Sequence, residues 1–488
     1  HADHHAAAGR RYPLMQHHGA DMSPQLPGGY GKMFALVLFP RRWFATMDPL
    51  VDEWRARFYP QIEDWSAYDS PAFAARPDAF EAIEEILGAA PRLGEWINRS
   101  PELLDNLGKK EFTDLDLPDG FGPDPEFEAI ARRGLARVYW THEYGVAEMK
   151  EEIAEIPVQG VREAVEIARG WSNGKAFQIG VHTVRGNLTP VEAGKALSNV
   201  AEASMAAVLS AVEEESAGRA TGGGVAAVVL GDLASGEAVL GARLEVVFVH
   251  AGGPPKPHES LCRSFFEGLR ELSRDNLLFA PIGRDRQLGP VRSLEGFSQH
   301  HRCAGTPGEL LDLTRTRCVF TSGGADLAGR FDEARQHVLI HGAARDRLVE
   351  ELRERAGDAP APGPLSIEDM RGGLRDIERA ARLLYVANAE AASATPAPGA
   401  ASVFKAAGGC GLMPHDAAER LAEAAALWRN LRGVLRLVAD DDLAAETAGP
   451  KVESVIARVC GSSDFNTLTA TVRETATRAA ADIDALAA

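Results

Sequence analysis

The sequence predicts an α+β protein in which a small α/β domain is flanked by helical segments and followed by a C-terminal helical bundle. Three observations carry this prediction. Between Val225 and Phe320, apolar β-branched runs such as Val225–Leu230 and Leu244–Val249 alternate with helix-like stretches, the pattern of strands packed against helices. Upstream of Gly218 and downstream of Gly323, apolar residues recur at helical spacing instead. Proline-rich punctuation at 359–364 and 394–401 divides the downstream part into separate helices. These breaks define an N-terminal extension over 1–75, a helical region over 76–218, the α/β domain over 219–330 and the bundle over 331–488.

From the N-terminus, residues 1 to about 30 are polar and rich in glycine and proline, which predicts a mobile tail. His1, His4, His5, His17 and His18 lie in it at irregular spacing, and a tail is favoured over a metal site. A first residue other than Met is read as a removed leader or an internal start. Residues 30–70 carry ten aromatic side chains, Trp43, Phe44, Trp54 and Trp65 among them, in a chain that is 7% aromatic. Such a segment is expected either to cover the protein's own core or to dock on a partner.

Helical patterns come next, with a break at Pro91 and a start signal at Ser100–Pro101. A longer helical tract runs from Glu126 to about Gly170, interrupted near Pro157, and Gly180 to Leu188 reads as an irregular link. Thr189, Pro190 and Glu192 then form an N-cap, a first-turn proline and the third helical position of a new amphipathic helix. In the α/β domain Gly231 ends the first strand. A turn there can place backbone amides against phosphates, with carboxylates on the next strand holding a divalent cation. That strand opens with Arg243, and Glu245 is its acid. Beyond Pro414, Leu421, Ala424, Leu427, Leu431 and Leu435 mark a bundle helix.

Composition bounds the partners. A formal charge of −18, from 52 basic and 70 acidic residues, argues against nucleic acid as a ligand. No apolar run reaches the about 20 residues of a membrane span. Five cysteines without a CxxC pair predict neither a disulfide framework nor a zinc knuckle. His300 and His301 with Cys303 and Cys318 match no common metal spacing, and core or surface roles are expected for them.

Several collinear stretches resemble the C-terminal, adenylylating half of the bacterial glutamine synthetase adenylyltransferase family in its alphaproteobacterial form. They are Phe177–Val181 with Gly186–Thr189, Val229–Leu233, Phe248–Val249, Gly289–Val291 with Ser293–Phe297, Leu313–Arg317, and Gly372–Glu378. The resemblance implies a nucleotidyltransferase-like α/β domain joined to helical bundles, in a family that moves AMP from ATP to a tyrosine of glutamine synthetase. It also implies what this chain has changed. The family's Gly-Lys-Leu-Gly turn is Gly231-Asp232-Leu233-Ala234, and its Ser-Asp-x-Asp metal motif is Ala242-Arg243-Leu244-Glu245. Its third carboxylate position is Ile282. A lysine before the Gly-Gly-Leu motif is Glu368, and a Trp-Glu pair is Gly308-Glu309.

Two-metal phosphoryl transfer needs carboxylates to hold the ions, so no catalytic residue, no metal and no cofactor is expected. The degenerate positions are Arg243, Glu245 and Ile282. Gly231, Ser235, Arg284 and Arg286 are expected as a phosphate-cradle remnant. Arg315, Arg317, Asp376 and Glu378 are read either as part of it or, preferentially, as ion pairs holding strands to the bundle. The favoured function is a pseudoenzyme serving as a structural or interaction subunit of a larger, mitochondrial matrix-side assembly, through residues 30–70. Two alternatives are an active transferase acting on a protein tyrosine in the bacterial cytoplasm, using Glu245 with Asp232 or Asp285, and a non-catalytic nucleotide-binding regulator.

Overall fold

The computed structural model describes residues 86, 88–100, 103, 134–135, 137–216, 224–253, 255–323, 326–353, 365–392, 398–438 and 449–487. The expected tail, the aromatic segment 30–70 and the helix start at Pro101 lie outside these residues. The chain divides into two compact units, residues 1–88 with 94–132 and residues 89–93 with 133–488. Helix α1 (Pro91–Arg99) begins at the predicted break.

The first layer of the second unit is helical. A short π-helical turn at Tyr139–Glu143 precedes α2 (Val146–Ala154), α3 (Val161–Val184) and α4 (Pro190–Glu215). The start of α4 is as its sequence predicts. Thr189 Oγ1 accepts from Glu192 N at 3.3 Å, while a Glu192 carboxylate oxygen accepts from Thr189 N at 2.8 Å. Two of the amide donors that a helix start leaves unpaired are thereby satisfied. Helix α4 packs against α2, α3 and two later helices, and Ala196, Val200, Ala203, Met205 and Val208 are fully buried.

The link expected over Gly180–Leu188 is shorter than its sequence predicts. Helix α3 continues through Gly180 to Val184, and the irregular part shrinks to Arg185–Leu188. Gly170, Gly174 and Gly180 disfavour a helix by propensity. Yet Ala176 to Val184 are all buried, so packing stabilises the segment and erases the one-sided pattern that would have revealed it.

The α/β part begins with β1 (Val225–Leu230) and a one-turn helix α5 (Gly231–Ala234). It continues with β2 (Ala242–Arg243), β3 (Val246–His250), α6 (Pro255–Leu272), β4 (Phe279–Ala280) and β5 (Arg292–Ser293). Then come α7 (Leu294–Cys303), α8 (Pro307–Leu313) and β6 (Thr316–Thr321). The main sheet has the order β5-β3-β1-β6. The central strand β1 runs antiparallel to both neighbours, with Val225 opposite His250 and Leu230 opposite Thr316. Every residue from Val225 to Val229 is fully buried, which explains a continuous rather than alternating apolar run. A second small sheet pairs β2 with β4 in parallel.

The remainder is helical: α9 (Leu327–His341), α10 (Arg345–Arg353), α11 (Leu374–Ala387), α12 (Ala389–Ala392), α13 (Ala400–Gly409), α14 (His415–Val438), α15 (Pro450–Val459) and α16 (Phe465–Ala487). Helix α14 is central. It packs on α4, α11, α13, α15 and α16, with Leu421, Ala424, Trp428 and Leu431 buried. The fold is α+β with a helical bundle.

Candidate functional site

The turn after β1 brings the chemistry-bearing residues together. Gly231 takes a φ of +68°, which a side chain disfavours, and its N–H donates to Arg315 O at 2.9 Å. The chain thereby reverses into α5 and aims Asp232 across the end of the sheet toward the bundle. Arg315 lies in the turn just before β6 and Arg317 near the start of that strand.

Asp232 meets three arginines there. One carboxylate oxygen pairs with Arg315 Nη2 and, at 3.0 Å, with Arg429 Nη1. The other accepts from Arg432 Nη1 at 2.9 Å. Arg429 and Arg432 both come from α14. Arg429 Nη2 also pairs with Glu378 of α11 and lies 3.0 Å from Glu237. Arg315 reaches Glu237 at 3.1 Å, Glu378 at 3.4 Å and, through Nε, Ser235 Oγ at 3.0 Å. Arg382 lies 3.9 Å from Glu378 and donates to Pro398 O at 2.8 Å.

This packing sets the electrostatics. Burial alone would raise the Asp232 carboxyl, but Arg429, Arg315 and Arg432 overcome it and hold the group well below the usual carboxylate range. Glu378 is buried too, and Arg429, Arg315 and Arg382 pull it down to about 2. Glu237 moves the other way: burial raises it, and the neighbouring Glu378 adds to the rise against the pull of the arginines. Burial drops Arg382 to about 10.

The supports are local. Asp376 accepts from the backbone N–H of Gly372 at 2.8 Å and from Arg371 at 3.2 Å. Trp428 Nε1 donates to Gly372 O at 3.1 Å. Gly372 has a φ of +72°, and a Cβ there would overlap the carbonyl of Ala476 on α16. Arg317 pairs with Glu202 of α4 and donates to Ala234 O at 3.2 Å, and Lys150 meets the same Glu202 at 2.7 Å. The ion pairs between strand and bundle predicted for Arg315 and Glu378 are therefore present.

Other predicted positions fall elsewhere. Arg243 is exposed, Glu245 is half-buried, and Ile282 is buried with its N–H donating to Ser273 Oγ at 3.0 Å. Arg284 and Arg286 are exposed on the loop after β4, whereas Gly231 and Ser235 belong to the arginine cluster. Sequence reasoning did not single out Glu237, Arg382, Arg429 or Arg432. A signal existed for the last two, because an arginine falling among the buried positions of a Leu/Ala-patterned helix needs a partner. Asp312 was also missed; burial raises its carboxyl, and the charges of Glu245 and Glu309 add to the rise.

Magnesium and a nucleotide triphosphate, which the fold family implies, do not fit these residues. The three positions that the family resemblance gives to metal carboxylates hold an exposed arginine, a half-buried glutamate and a buried isoleucine, while Arg315 and Arg429 are paired with Asp232, Glu237 and Glu378.

Comparison with known proteins finds relatives in the family that the sequence resembles. A bifunctional glutamine synthetase adenylyltransferase/adenylyl-removing enzyme from Bradyrhizobium diazoefficiens is 26% identical over 426 residues, covering 82% of this chain and 40% of the relative. A protein of the same description from Rhodopseudomonas palustris strain HaA2 is 25% identical over 514 residues, covering 97% of this chain and 48% of the relative. This chain is a distant relative of the glutamine synthetase adenylyltransferases. The adenylyltransferase-like chain spans less than half the length of these relatives. Its residues 345–486 also match the family model described as GlnD PII-uridylyltransferase. No helix among the described residues is long and apolar enough to cross a membrane.

Proposed function

We propose that this adenylyltransferase-like chain does not transfer nucleotides and acts as a structural or interaction subunit of a larger protein assembly. The observation that carries the reading is Asp232. At the position where the family resemblance implies a lysine, this chain has a carboxylate bound by Arg315, Arg429 and Arg432. The negative charge that a bound phosphate would bring is built into the protein. Glu368, a second reversal, lies 3.5 Å from Arg432, so the two changes act on one cluster. Such neutralisation weakens any electrostatic pull on a nucleotide.

The partner surface proposed is the aromatic segment 30–70. The bacterial relatives favour the bacterial cytoplasm over a mitochondrial matrix assembly as the setting. Glutamine synthetase enters as a partner only in the reading that keeps the activity. In that reading Glu245 needs a second carboxylate. Asp232 is taken by arginines and Asp285 is exposed, which leaves Asp312 beside Glu245.

The deciding experiment offers the full chain labelled ATP with magnesium or manganese, in the presence of glutamine synthetase. No labelled AMP should appear on protein, and ATP should not raise the melting temperature. Metal-dependent labelling that Glu245→Gln abolishes overturns the proposal; stabilisation by ATP without labelling would instead favour a nucleotide-binding regulator.

A further inference from the structure

Outside the arginine cluster, α7 and α8 meet at a group of side chains that the proposed function does not use. His300 and His301 are adjacent near the end of α7, and Glu309 lies in the first turn of α8. One ligand atom from each lies within 4.8 Å of the others. Cys303 and Cys318, the thiols closest in sequence to this histidine pair, do not join the group.

Glu309 is held in place. One of its oxygens closes the cap of α8, accepting from Thr306 N at 2.9 Å and Thr306 Oγ1 at 3.1 Å. The other is 3.1 Å from His300 Nε2. That contact is a hydrogen bond, and ligand atoms around a tetrahedral zinc, each about 2.0–2.2 Å from the metal, stand roughly 3.4 Å apart, so a metal replacing the shared proton would need only a small outward shift of the pair. His301 supplies the second observation. It is 6% exposed, and its Nδ1 is buried without a hydrogen-bond partner. A buried polar nitrogen left unpaired is costly, and a structure retains it more readily where a ligand engages the ring.

We propose that His300, His301 and Glu309 bind a divalent transition metal of the zinc class, with solvent completing the coordination. Two imidazoles and one carboxylate form a recurrent three-ligand zinc set. The same donors disfavour magnesium and calcium, which require several oxygens. The opening of α8 at Thr306 and Pro307 fixes Glu309 against α7, so the metal would clasp two helices of the α/β part.

The test is zinc titration of the full chain in which His1, His4, His5, His17 and His18 are each replaced by glutamine, so that the tail does not contribute. One equivalent of zinc should bind and raise the melting temperature, and cobalt in its place should give a visible absorption band of tetrahedral type. His300→Ala should abolish the bound equivalent. Glu309→Gln keeps a capping side chain and should weaken zinc binding at least tenfold while circular dichroism stays unchanged. Absence of binding in the parent chain, or undiminished binding in both variants, overturns the proposal.

Discussion

At position 232 the sign of one side chain determines which neighbours can be tolerated. Three arginines converge on Asp232, and two of them also hold Glu237. A lysine in the same place would add a cation to this arginine group and remove one of the carboxylates, leaving Glu237 and Glu378 to balance the excess. Arg429 is the hub, since it touches Asp232, Glu237 and Glu378 while almost wholly buried. Removing one partner of such a network leaves buried charge unpaired, at a cost of about 3–5 kcal/mol. Arg429→Met should therefore lower unfolding stability by that order in denaturant titration, although methionine fills much of the same volume. A loss below about 1 kcal/mol would mean that the network is largely solvated.

Among the elements, legibility depends on whether the instruction is local. The cap at Thr189 and the buried strand Val225–Leu230 are readable because neighbouring residues specify them. The end of helix α3 is not, because burial on all sides leaves no periodicity to detect. The arginine cluster is only partly readable. Asp232 stands out as an acid in a turn expected to hold lysine, but its partner Arg429 lies 197 residues away and no local pattern links them. The junction of α11 with α16 makes a further local test. Gly372 combines a left-handed backbone with contact against Ala476, so Gly372→Ala should destabilise the chain by about 1–3 kcal/mol through strain and overlap. Thermal unfolding of the variant measures it, and an unchanged melting temperature would show that α16 shifts without cost.

Across the whole molecule, the charge network makes stability depend on pH. Glu378 titrates at about 2 in the folded chain, against about 4.3 when unfolded. Its stabilisation is complete above the unfolded value and is lost as pH falls through the folded one. Asp232 acts in the same direction, while the raised Glu237 opposes them by favouring the folded chain in mild acid. His301, lowered by burial to about 4, adds an earlier loss as pH falls from about 6.5. The melting temperature should thus decline below neutrality and fall further between about pH 4.5 and 2. Glu378→Gln should lower stability at pH 7 yet flatten the acid limb. An unchanged limb would assign acid unfolding to other carboxylates.

The arginine cluster also orders events during synthesis. When the last strand of the sheet leaves the ribosome, Asp232 and Arg315 can already pair, but Glu378 and Arg429 have not been made. The sheet must wait, its exposed end incompletely neutralised, until helix α14 arrives. Contacts so distant in sequence are slow to close and leave the early chain vulnerable. A ribosome that stalls between residues 330 and 430 would therefore present a nascent chain whose sheet is complete but not yet locked by helix α14.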